Sequence, residues 1–141
     1  MELLTIILIS SVANIITLLA ILFFTRKKKK TKHPLQERAE DLLLMVNQTI
    51  LSLHKEIQKQ DQEITQMMYK KDVEKSHEKQ IEEQINEQKE AIKVNMYNID
   101  TLKEFKLELQ KIIGLKEITN ENEIEKKLDD ISSFVRSLVR Y

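Results

Sequence analysis

Three histidines, His33, His54 and His77, are the side chains of this sequence best suited to metal ligation or to proton transfer near neutral pH. They lie far apart along the chain, with no H-E-x-x-H motif and no second histidine four residues away, so they lack the spacing that metal ligands need. Cysteine is absent, which excludes disulfides, thiolate metal sites and cysteine nucleophiles. Acidic pairs such as Glu82-Glu83 and Asp129-Asp130 sit in charge-rich runs and read as solvated helix faces. General acid–base catalysis would need them held in reach of a substrate, and nothing in the composition suggests a cleft-forming fold. The single glycine, Gly114, cannot build a phosphate-cradling loop. We expect a protein that is not an enzyme and takes no cofactor and no metal.

Cationic side chains offer the other chemistry. Arg26, Lys27, Lys28, Lys29, Lys30 and Lys32 form a dense cluster, and from His33 onward 17 basic residues face 22 acidic ones. The formal net charge of zero therefore conceals a basic collar on a mildly acidic tail. Such a collar attracts anionic lipid headgroups, each cation contributing about 1 kcal/mol near the surface. Nearer the C-terminus, Lys126, Lys127, Arg136 and Arg140 are candidate contacts to nucleic acid. Nine acids between Asp100 and Asp130 leave that region without the strong basic footprint that phosphate binding favours.

The collar follows directly on an apolar stretch, Leu3 to Thr25, that carries no charge. About 20 apolar residues suffice to cross the ~30 Å hydrocarbon core, so residues 1–25 are expected to be a transmembrane anchor. A cleaved signal peptide would put its positive charge before a shorter core and end at small residues, the opposite of this order. The cations should remain cytoplasmic, giving a single-pass protein with its N-terminus outside and its C-terminal region in the cytoplasm. Within the stretch Ser10, Ala13, Thr17 and Ala20 recur at helical spacing with Asn14 beside them, a pattern suited to helix–helix association in lipid.

Residues 26–34 form the basic juxtamembrane linker, closed by Pro34, which suits the first turn of a helix. From residue 35 to 98 a heptad register holds without a stutter, and the spacing predicts a long coiled-coil helix of about 95 Å. Leu43, Ile50, Ile57, Ile64, Ile85, Ile92 and Ile99 fall at a and Ile81 at d, so these residues are expected to mediate oligomerisation. The register loses its apolar residues at Lys71, Glu74 and Glu78. A parallel homodimer would also oppose Glu56 with Asp61 and Lys70 with Lys75. An intrachain hairpin folding back near 71–78 and a coil with a partner chain are therefore alternatives to parallel self-association, although no Gly, Pro or Asn marks a turn there. Leu42 to Val46 with Ile50, Leu51 and Leu53 carry more apolar surface than a seam requires. Leu44 and Leu51, at b positions, make this stretch a candidate docking surface.

Residues 99–141 read as a C-terminal helical hairpin. Thr101-x-x-Glu104 has the form of a capping box opening one helix, Gly114 of its stop, and Asn120-x-x-Glu123 of the start of the next. Two copies of this short module would form a four-helix bundle. The expected fold class is thus all-α: one transmembrane helix, a long coiled-coil helix and a short αα-hairpin.

Two families share this outline. The chain resembles the b subunit of bacterial ATP synthase in its N-terminal span and long helix, but its repeat is seven residues and not the eleven of that family, which reverses the supercoil hand. It also resembles, in order of parts alone, the membrane-anchored early replication proteins of phi29-like phages. That resemblance implies a span, a coiled coil and a helical module that dimerises and binds DNA. The expected function is a membrane-anchored, self-associating scaffold or tether whose partners are the lipid bilayer, a second copy and a cytosolic protein. The alternatives are a membrane-bound organiser of nucleic acid and a small subunit of a larger membrane complex.

Overall fold

A computed structural model describes residues 2–27 and 32–139, and these contain helices and no strand. Lys28, Lys29 and Lys30 of the basic cluster, and Arg140, lie outside the described residues. The chain divides into two units, Met1–Lys32 and His33–Tyr141.

The first unit is one helix, α1 (Glu2–Lys27). Its segment Glu2–Phe24 is long and apolar enough to cross a membrane. The large apolar side chains from Leu3 to Phe24 are exposed, so α1 is not the core helix of this unit. Such a surface is unfavourable in water and at home in hydrocarbon.

The second unit is built from α2 (Pro34–Val73), α3 (Glu78–Ile113) and α4 (Glu121–Val139), with one 3₁₀ turn, Lys75–His77, between α2 and α3. The helix expected to run unbroken from 35 to 98 is interrupted at Glu74–His77, and α3 folds back along α2. The physical reason lies in the register. Lys71, Glu74 and Glu78 leave about a heptad and a half without apolar seam residues, so little packing is lost by bending there. No glycine or positive φ is needed: Glu74 takes φ −109°, ψ 80° and His77 φ −116°, ψ 14°. Lys71 then reaches Glu78 and Glu82 across the turn, at 3.8 and 3.6 Å.

Antiparallel pairing buries the seam inside one chain. Gln60 and Asn95, both at d, meet through an Asn95 Nδ2 to Gln60 Oε1 hydrogen bond of 3.2 Å. Stepping one heptad outward on both helices from that layer gives Leu53 with Leu102, then Val46 with Leu109, and all four are buried. A hairpin within one chain does not create the Glu56–Asp61 and Lys70–Lys75 pairs that a parallel pair of chains would oppose.

The C-terminal region also departs from expectation. α3 continues through 98–104 without a break, and Thr101 Oγ1 donates to the Tyr97 carbonyl at 3.1 Å as a residue inside a helix. Gly114 does terminate α3, though with φ −81°, in the right-handed region. α4 begins directly after Asn120. It does not form a detached hairpin with the end of α3, because its stripe of Ile124, Leu128, Ile131 and Val135 joins a core that also holds Ala39, Leu42 and Val46 of α2. Phe134 of α4 stacks edge-on against Phe105 of α3, ring centroids 5.4 Å apart. Three helices of a single chain thus build the core that two copies were expected to supply.

Candidate functional site

The helix ends at the base of the bundle are tied by side chains. His33 is the N-cap of α2, and its Nδ1 accepts from the Leu35 N–H at 3.2 Å. With Nδ1 accepting, the ring hydrogen sits on Nε2, which faces Glu121 Oε1 of α4 at 3.2 Å. Gln36 accepts from the His33 N–H at 3.4 Å and turns its amide nitrogen to the end of α3. There it donates to the carbonyls of Leu115 (2.8 Å), Ile113 (3.3 Å) and Ile112 (3.4 Å). Gln36 therefore supplies a donor to the Ile113 carbonyl at the end of α3 and to the Leu115 carbonyl just beyond it, while the Ile112 carbonyl also accepts from the Leu115 N–H. Arg38 pairs with Asp129 and adds a further link between α2 and α4. Sequence reasoning missed this latch. Its signal was Pro34 at the first helical position, which makes His33 the cap and Gln36 the third helical residue, the position where glutamine returns the bond.

The seam residues Leu43, Ile50, Ile57, Ile64, Ile81, Ile85, Ile92 and Ile99 are all buried or half-buried within the single chain. The apolar surplus of α2 is divided. Leu42 goes into the core shared with α4, whereas Leu44 and Leu51 remain 60% and 57% exposed. Leu107 of α3 is 59% exposed, and the Gln60–Asn95 register sets it level with the gap between Leu44 and Leu51 on the same flank of the hairpin. α4 lies on the other flank, where Met45, Ser52, Leu138 and Val139 line an open cleft of about 460 Å³.

The candidate nucleic-acid contacts of α4 do not all share one face. Lys126, Lys127 and Arg136 are exposed. Lys127 and Arg136 are nine residues apart, which at 100° per residue sets them on opposite flanks of α4. Lys127 borders a cleft of about 310 Å³ beside the α3–α4 loop, together with Lys111 and with Glu108, Glu117 and Glu123. These acids offset its charge. Among the described residues no cluster of His, Asp and Glu is arranged to hold a metal ion. In α1, Asn14 lies on the exposed surface of the apolar helix.

The fold defines a class: an apolar N-terminal helix long enough to cross a membrane, followed by a three-helix bundle. Comparison with models of known families, with curated proteins and with solved structures found no match.

Proposed function

We propose that this chain is a single-pass membrane anchor for a self-contained helical bundle, which it holds at the cytoplasmic face as a docking scaffold for a protein partner. The observation that carries the reading is the contrast between two sets of apolar residues. Those of α1 are uncovered along the whole helix, whereas those of α2, α3 and α4 close a core within one chain. A helix of the first kind needs lipid; a bundle of the second kind needs none. The cations of residues 26–32 favour an N-out, C-in orientation and draw the segment toward anionic headgroups.

The hairpin of α2 and α3 is a rod of roughly 60 Å at 1.5 Å per residue, shorter than one continuous helix and stiffened by α4 over part of its length. Its flank bearing Leu44, Leu51 and Leu107 is the docking surface in this reading, since such side chains remain available after the core is closed. Self-association belongs to the proposal as well, because copies held together in one membrane bind a partner with avidity.

The test uses the full chain with a C-terminal tag in sealed vesicles of both orientations. The chain should resist alkaline extraction, and protease should remove the tag in inverted vesicles but spare it in right-side-out ones. Replacing Arg26, Lys27, Lys28, Lys29, Lys30 and Lys32 by glutamine should mix the two orientations. Extraction of the wild-type chain by alkali, or a tag protected in inverted vesicles, contradicts the reading. The nucleic-acid organiser has weaker support, because nine acids from Asp100 to Asp130 accompany the basic residues and Lys127 diverges from Arg136 around α4. Its signature would be DNA binding that falls steeply with salt.

A further inference from the structure

The seam of the rod is used within one chain, so self-association needs another surface, and α1 carries one. Ile7, Ser10, Asn14, Thr17 and Ile21 succeed one another at alternating steps of three and four, the spacing of a helix-pair seam. Ile7, Asn14 and Ile21 occupy the a positions, with Ser10 and Thr17 at d. β-Branched a residues favour two parallel strands, and a lone Asn at a fixes register and strand number. The small d residues let two backbones approach closely.

Asn14 carries the side chain with the largest hydrogen-bonding capacity on this strip. Thr17 Oγ1 donates to the Ala13 carbonyl at 2.8 Å and is satisfied inside the helix. Ser10 has only a single hydroxyl to pair, which a helix can satisfy on its own preceding carbonyls, as the neighbouring Ser11 does with Leu8 at 3.0 Å. The Asn14 carboxamide has no hydrogen bond among the described residues. It lies near the middle of Glu2–Phe24, where water is not at hand to pair with it. A second copy of α1 fits this requirement best. An amide offers one acceptor and two donors and is complementary to itself. Copies inserted by the same sequence share one orientation, so they meet in parallel with both Asn14 residues at the same depth.

We infer that α1 is a parallel homodimerisation helix in which two Asn14 carboxamides hydrogen-bond to each other across the pair. The inference rests on α1 spanning the membrane, and the experiment separates the two. Full-length chains carrying donor or acceptor dyes are reconstituted in phosphatidylcholine vesicles, and energy transfer is followed as lipid dilutes the protein. Wild type should show transfer above that of random encounter. Asn14→Leu should weaken association about tenfold, in line with a pair of interhelical hydrogen bonds, while Asn14→Gln should restore most of it. Because leucine is more apolar than asparagine, Asn14→Leu keeps the helix in the bilayer. Wild-type transfer no greater than random, or Asn14→Leu associating as tightly as wild type, overturns the pairing. An alkaline wash of the same vesicles distinguishes the causes. A retained chain without transfer refutes the pairing alone, whereas a released chain refutes the span and the pairing with it.

Discussion

His33 and Gln36 show how two polar side chains can settle the ends of three helices. Loss of a side-chain N-cap costs about 1 kcal/mol, and His33→Ala also removes the contact to Glu121, so urea denaturation of residues 33–141 should register a loss of roughly 1–2 kcal/mol. A core residue weighs more. Leu128 is fully buried, and Leu128→Ala should cost about 2–5 kcal/mol, whereas Leu44→Ser on the exposed flank should stay within about 0.5 kcal/mol. Thr101 discriminates between two readings of one motif. As a helix N-cap its replacement by alanine would cost about 1 kcal/mol; inside α3, where its hydroxyl bonds back to Tyr97, Thr101→Ala should be neutral or slightly stabilising. The motif misled because Thr-x-x-Glu also fits a helix interior, and only the chain beyond it decides. Asn120-x-x-Glu123 has the same form but follows Gly114 and a stretch of loop, and there the helix start was legible.

Among the elements, the heptad register was readable from Leu43 to Leu102, and its apolar residues are buried or half-buried. The partner of that seam was not readable. A period of seven states that a helix pairs, while the choice between a second copy and the chain itself depends on the cost of one bend. Here the bend needs no special residue, since Glu74 and His77 reach it at negative φ, so the turn left no trace in composition. Its signs were the polar gap at Lys71, Glu74 and Glu78 and the like charges that a parallel pair would oppose. The native chain lacks cysteine, which makes cross-linking clean. Gln60→Cys combined with Asn95→Cys should oxidise to a closed loop within one chain, seen as a faster-migrating monomer on non-reducing gels. Disulfide-linked dimers as the main product, from the double variant or from Gln60→Cys alone, would instead favour a seam between chains.

For the molecule as a whole, the division between a helix long and apolar enough to cross a membrane and a separate helical unit was evident from the junction of Leu3–Thr25 with the basic cluster. The packing of α4 was not, because the stripe of Ile124, Leu128, Ile131 and Val135 fits a short hairpin, a dimeric bundle or the flank of α2 equally well by spacing alone. What decided it was the apolar surplus at Leu35 and Leu42, which a two-helix seam would leave partly wet. The central claim is that residues 33–141 close their core within one chain, which frees the span for self-association and the flank of Leu44, Leu51 and Leu107 for a partner. The direct measurement is sedimentation of purified residues 33–141 over a wide concentration range, alongside thermal unfolding followed by circular dichroism. The account requires a helical monomer that unfolds cooperatively at a midpoint independent of protein concentration. A dimer that loses its helix content as it dissociates would contradict it, and would return the seam to the interface between two chains.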